Sequence, residues 1–300
     1  MKDGKRHGSE GHKYLYILLL SLLTFIPAVV SSMESTESRG GLLCAADNAP
    51  QRIISLVPAI TEELYLLGVG ERIVGNTVYC QRPQRAQHKE KVGTVIDANV
   101  EKIIELSPDL VIASPLSDRR QTRKLQRLAI NVEVFDEAVD FKGLCENFLR
   151  LSRLVRKEEE GRKVIREATR DLKAITESLG ASSSPSVFVQ IGANPLFTAK
   201  GESFINDLVE RARGINIAKD ATNGIFSREE VIKRNPDIIL IATMGIIAEK
   251  EKEVWLRYQG INAVNKGRIF TIDSNRVCSP TPVSFVDTVK ELVELFHGEQ

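Results

Sequence analysis

Glu101-Lys-Ile-Ile-Glu-Leu-Ser-Pro108-Asp109-Leu-Val-Ile112 returns in the second half of the chain as Glu229-Glu-Val-Ile-Lys-Arg-Asn-Pro236-Asp237-Ile-Ile-Leu-Ile241. In both copies a glutamate stands seven residues before a Pro-Asp pair, with an aliphatic pair after the glutamate and an apolar run after the turn. This is the pattern of a helix with one buried face, a stop, and a short strand covered on both faces. One such unit in each half predicts two α/β lobes of similar build, and two lobes make a cleft.

The flanking sequence extends the pattern. Arg52-Ile-Ile-Ser-Leu-Val57 predicts a first strand, closed by Pro58-Ala59-Ile60. A helix follows, with Thr61 as its cap and Glu62 and Glu63 at its positive end. Ile73-Val74, residues 110–113 and residues 132–135 predict further strands, with a helix over 121–128. Strands alternating with helices mean a parallel sheet covered on both faces.

From 139 to 179 only helical spacing remains. Leu144, Phe148, Leu151 and Val155 share one face, and Val164, Ala168, Leu172 and Ile175 share one face of a second segment. Gly161 and the glutamates before it predict the break between them. Strand 187–191, loop 192–198, helix 203–212, a helix around Trp255, strand 268–272 and helix 283–296 complete the chain. The expected division is a signal or anchor segment with a flexible leader over 1–48, an N-terminal α/β lobe over 51–157, a linking helix over 158–180, and a C-terminal α/β lobe over 185–300.

Three hundred residues, 42% hydrophobic and 27% charged, supply two cores. A net charge of +1 with interleaved acids and bases leaves no nucleic-acid footprint. The run Arg156-Lys-Glu-Glu-Glu160 reads as a solvated helix junction. Lys2, Lys5, Arg6 and Lys13 precede an uncharged stretch over 14–30 that ends at Ser31 and Ser32, the pattern of a secretory signal. The protein is therefore expected to be exported. The apolar stretch is also long enough to stay as an uncleaved anchor. Cys44 offers a lipid attachment point, although Leu43 is large where such sites take a small residue. Cys44, Cys80, Cys145 and Cys278 show no CxxC spacing, and Cys145 reads as a small core residue.

Arg52–Glu62, the 75–83 loop, Glu101–Ile112, Val187-Phe-Val-Gln-Ile-Gly-Ala-Asn194-Pro-Leu-Phe197-Thr198 and Ser227-Arg-Glu-Glu-Val231 resemble the substrate-binding proteins of vitamin B12 and iron-siderophore ABC importers. The resemblance spans about residues 51–296. It implies two Rossmann-like lobes with parallel sheets joined by one long α-helix, a stiff link that allows little closure, and a ligand held between the lobes. It also implies a monomer without enzymatic activity or intrinsic cofactor, periplasmic or tethered to the outer face of the cytoplasmic membrane. Its partners would be a permease and its ATPase. The implied ligand is cobalamin or another corrinoid, with a ferric siderophore or haem as the alternative.

Carried over by motif, the cleft floor of the first lobe is Pro58, Ala59, Ile60 and Tyr79. The second lobe contributes Asn194, Phe197 and Asp273, the last as an acceptor for corrin amides. Arg276, on the same loop, is a candidate partner for an anionic siderophore or a haem propionate. Val95, Ser114 and Asn223 stand where a cobalamin binder brings tryptophans, and Trp255 lies outside those loops. Pro282-Val283 replaces the usual Pro-Arg.

Glu101 and Glu229 match the glutamates by which the family docks onto permease arginines. Each also suits the start of its helix, with Ser227 as cap and Glu230 completing a capping box.

Two other classes find less support. His7, His12, His88 and His297 have no partners at ligand spacing, so a bare-metal receptor is not expected. No G-x-S-x-G, P-loop or H-E-x-x-H occurs. Cys80 and Cys278 fall on cleft loops with no histidine nearby in sequence, and read as packing residues. A membrane-tethered scaffold or sensor turns on whether segment 14–30 is cleaved.

Overall fold

The computed structural model describes residues 49–180, 183–242 and 246–298. The signal segment and Cys44 lie outside the described residues.

β1 (Ile53–Ser55) and β4 (Leu110–Ala113) are neighbours in a five-stranded parallel sheet. β2 (Ile73–Asn76) and β3 (Glu90–Lys91) extend it on one side and β5 (Val132–Val134) on the other, giving the order β3-β2-β1-β4-β5. Ile53, Leu110 and Ile112 face one core with Leu64 and Phe148, while Ile54, Val111 and Ala113 face a second with Ile103 and Leu125. Successive residues point to opposite faces, so a sheet covered on both sides needs an unbroken apolar run. The covering helices are α1 (Pro58–Leu66), α2 (Val100–Glu105), α3 (Arg119–Arg127) and α4 (Phe141–Leu154).

α5 (Glu158–Ser178), about 30 Å long at 1.5 Å per residue, leads to the second sheet. There β6 (Ser186–Ala193), β9 (Ile238–Ile241) and β10 (Ile269–Thr271) run parallel. On the other edge of β6, β8 (Ile215–Asn216) pairs in parallel and β7 (Leu196–Thr198) pairs antiparallel. The 192–198 segment, expected as a loop, is thus the tip of a hairpin. Phe188, Ile239 and Ile241 face one core with Trp255, and Val189, Ile238 and Leu240 the other with Phe285. α6 (Phe204–Arg211), α7 (Arg228–Arg234), α8 (Ile246–Trp255), α9 (Asn262–Asn265), α10 (Ser274–Cys278) and α11 (Pro282–His297) complete the lobe.

The repeated passage holds at atomic detail. Ser107 and Asn235, each just before the proline, both adopt the left-handed conformation, at φ 46° and 47°. The aspartates that follow do the same work in each lobe. Asp109 accepts from the backbone N–H groups of Gln51 and Arg52 at the entry to β1, at 2.6 and 3.0 Å. Asp237 accepts from the N–H and hydroxyl of Ser186 at the entry to β6, at 3.1 and 2.7 Å. Each Pro-Asp pair stops a helix and ties the next strand to the central one.

Three local expectations change. Pro58, preset for a first helical position, starts α1 earlier than expected, so Thr61 lies inside the helix. Its hydroxyl donates toward Ser55 Oγ and Val57 O. Glu62 and Glu63 consequently fall beyond the first turn, away from the positive helix end. Gly161 does not mark the break between α4 and α5, which falls at 155–157. It lies within α5 where a Cβ would come 2.5 Å from Ser152 Cβ, so it allows the two helices to touch.

α4 serves both lobes. Phe141 and Leu144 pack into the core of the second lobe, and Phe148 and Leu151 into that of the first. The charge run at the junction pairs locally, with Arg162 and Arg153 on Glu158 and Lys157 on Glu160.

Candidate functional site

In the order β3-β2-β1-β4-β5 the connections leave β1 and β4 toward opposite faces of the sheet, which opens a crevice at their carboxyl ends. Val57, Pro58, Ala59 and Ile60 follow β1 into that crevice, Ser114 and Leu116 follow β4, and residues 135–138 follow β5. Tyr79 and Val95 come from the loops after β2 and β3, and α4 adds Leu144 and Asn147. The second lobe closes the other side with Phe204 and Ile205 of α6, Asn275 and Cys278 of α10, and Ser279 and Pro280. The cavity, open to solvent, measures about 520 Å³.

Four of the sequence-derived candidates, Pro58, Ala59, Ile60 and Tyr79, meet in this cavity. The others stand elsewhere. Phe197 lines an adjoining hollow with Lys200 and Asn223, which touches the main cavity through Ile205. Asn194 is exposed at the hairpin turn. Asp273 caps α10, accepting from the backbone N–H of Asn275 at 2.9 Å. Arg276 pairs with Glu291 of α11 at 2.9 Å, so the cation expected for an anionic ligand is neutralised within the protein.

Arg82 joins the lobes beside the cavity. Its Nη2 donates to the carbonyl oxygens of Asn275 and Ser279 at 3.1 and 2.9 Å, and lies 2.9 Å from the Glu62 carboxylate. Burial raises the Glu62 pKa, and Arg82 works against that shift.

Sequence reasoning missed Glu63. Only 3% exposed, it lines the cavity with no hydrogen bond or ion pair to a described residue. Burial, and secondarily the neighbouring Glu62, push its carboxyl well above the ordinary range. Burial also pushes the Cys145 thiol up to about 11, with Glu63 adding to the effect. The Ser114 hydroxyl, on the same cavity, is buried without a partner. The signal available in the sequence was position: Ser114 directly follows the buried run of the repeat. Cys80 is fully buried between the Thr61 and Thr77 hydroxyls, at 3.1 and 3.2 Å, in keeping with its reading as a packing residue.

Glu101 and Glu229 are exposed, each the second residue of its helix, α2 and α7. Lys124 pairs with Glu101 at 2.7 Å, and that hydrogen bond holds the carboxyl below its ordinary range. Glu229 makes no hydrogen bond or ion pair with a described residue. Ser227 caps α7 as expected, accepting from the Glu230 N–H at 3.1 Å. The Glu230 side chain turns instead to Arg234, at 2.7 Å, so the expected capping box is not completed.

Among the described residues, no cluster of His, Cys, Asp and Glu could hold a metal ion, and no helix is long and apolar enough to cross a membrane.

A family model described as periplasmic binding protein matches residues 53–276. The chain is 29% identical over 260 residues to an ABC transporter substrate-binding lipoprotein of Bacillus subtilis, YvrC, covering 83% of this chain and 81% of that one. It is 28% identical to a vitamin B12-binding protein of Vibrio campbellii, covering 84% and 91%. The crystal structure of BtuF, a periplasmic vitamin B12-binding protein of Vibrio cholerae, superimposes with a TM-score of 0.71 at 25% identity, covering 82% of this chain and 96% of that one. The chain belongs to the periplasmic binding protein family. Its two-lobed α/β architecture is that of BtuF.

Proposed function

We propose that this protein is the exported substrate-binding component of an ABC importer, which captures a cobalamin between its lobes and delivers it to a membrane permease. The observation that carries the reading is the cavity at the carboxyl ends of β1 and β4, floored by Pro58 and Ile60 and flanked by Tyr79, Phe135 and Phe204. Such a lining suits a broad, mostly apolar macrocycle. Each 100 Å² of ligand surface it covers contributes about 2.5 kcal/mol. The two relatives named for vitamin B12 binding support the same ligand.

Phe197, Asn194 and Asp273 are proposed as outer contacts for parts of the ligand that extend beyond the main cavity. Glu101 and Glu229 are proposed as the permease contacts, one exposed carboxylate at the same register on each lobe. A ferric siderophore or haem is the competing ligand, and the pairing of Arg276 with Glu291 weakens that reading. Calorimetric titration of the purified protein with cyanocobalamin, a ferric siderophore and haem tests the choice. Saturable heat with cyanocobalamin supports it. No heat there, with saturable heat from either of the others, reassigns the ligand.

A further inference from the structure

We infer that the cavity selects ligands that turn neutral hydrogen-bonding groups, such as carboxamides, toward the first lobe, and rejects ligands that turn carboxylates there, with Glu63 as the specificity-determining residue. The inference rests on the cavity being the ligand site.

Charge is the first observation. The described lining carries Glu63, Asp136 and Glu137 and includes no lysine, arginine or histidine. Nearby guanidinium groups are committed: Arg82 to Glu62 and two carbonyls, and Arg276 to Glu291. A further base, Lys200, lies on the adjoining hollow with Phe197, outside this lining. A ligand carboxylate placed against this lining meets like charge with no compensating cation, and such juxtaposition suppresses wrong partners.

Unmet hydrogen bonding is the second. The Ser114 hydroxyl is buried without a partner, and the Glu63 carboxyl, on a residue only 3% exposed, makes no hydrogen bond or ion pair with a described residue; both residues line the cavity. Buried polar groups are nearly always paired, so an unpaired hydroxyl and an unpartnered carboxyl lining one cavity point to where a ligand supplies the partners. An amide satisfies both kinds of group: its NH₂ donates to the Glu63 carboxyl, and its carbonyl accepts from the Ser114 hydroxyl. Burial already disfavours the ionised Glu63 carboxyl; a ligand amide N–H offsets that penalty, and a second carboxylate beside it adds to it.

The test titrates the full-length protein with one matched pair of corrinoids and a second pair of unrelated iron chelates of opposite charge. Dicyanocobinamide carries amide side chains, and dicyanocobyrinic acid carries carboxylates on the same ring. Ferrioxamine B is cationic, and haemin carries two propionates. Within any pair that binds, the amide or cationic member is expected to bind at least about tenfold tighter. In Glu63→Gln, checked for folding by its thermal melt, the ratio of affinities within a pair is expected to shrink severalfold, the carboxylate member gaining on its counterpart. Ferrioxamine B binding over haemin, with no corrinoid bound, would retire the cobalamin reading and leave the charge rule standing. Equal or tighter binding of a carboxylate member overturns the inference. A preference unchanged in Glu63→Gln removes the role of Glu63, and no heat from any probe retires both the inference and the reading beneath it.

Discussion

Arg82 Nη2, in the first lobe, donates to the carbonyl oxygen of Ser279, in the second, at 2.9 Å. The bond crosses the edge of the cavity, because Ser279 and the adjacent Pro280 form part of its far wall. Glu62 holds the guanidinium from the near side, so a carboxylate, a guanidinium and two backbone carbonyls form one chain between the lobes.

Replacing Arg82 by methionine leaves Glu62 without its counter-charge and two carbonyls without a donor. Arg82→Met is expected to lower stability by about 1–3 kcal/mol. Urea unfolding followed through Trp255 reads this directly, since the sole tryptophan is fully buried. Adding Glu62→Gln should recover part of the loss, because the stranded charge goes with it. A double variant as weak as or weaker than the single one would show that the ion pair is not the cause.

Glu63 makes stability depend on pH in a definite direction. Its folded pKa lies above the ordinary 4.5, so its contribution is complete below that value and is lost as pH rises through the raised one. Glu63→Gln cannot ionise and escapes the loss. At pH 8 the variant should be more stable than the parent by about 1–3 kcal/mol, the cost of an unpaired buried polar group, with the gap closing toward pH 4.5. Urea midpoints at the two pH values give the comparison. A gap that widens on acidification would contradict the assignment.

An alanine in place of a helix-interior glycine ordinarily gains about 0.5–1 kcal/mol. At Gly161 the sign should reverse. The added Cβ would stand 2.5 Å from both Cβ and Oγ of Ser152, and overpacking costs about 1–3 kcal/mol. Ser152→Gly combined with Gly161→Ala should restore most of the loss, measured by thermal or urea unfolding of the two variants.

Reversing both exposed carboxylates, Glu101→Lys with Glu229→Lys, should leave ligand affinity within about twofold by calorimetry. Neither side chain lines the interlobe cavity. Cellular uptake of the ligand should be abolished if these groups dock onto the permease. Uptake at the parental rate would end the docking proposal.

Much of the architecture was legible from the chain alone, for identifiable reasons. A strand buried on both faces must be apolar at every position, so Leu110–Ala113 and Ile238–Ile241 announce themselves without alternation. The Pro-Asp pairs carry their own stop signal, and Asp109 and Asp237 repeat the same strand-entry contact. Pro58 and Tyr79 were within reach through the family resemblance, and their places just beyond strand ends, where crevices form, agree with it. The hairpin of β6 with β7 was not, since a short apolar segment after a turn reads equally well as a loop.

The sequence by itself determined two α/β lobes, the helical stretch between them and the strand ends that floor their cleft, because burial periodicity and backbone stops are local properties of the chain. Only the tertiary structure decided that α4 is shared by both cores, that Arg82 spans the lobes, that Arg276 is spent on Glu291, and that Glu63 is buried at the cavity wall. Each of these depends on which distant groups come within a few ångströms of one another. Charge pairing and desolvation are set by that proximity, and sequence spacing does not encode it.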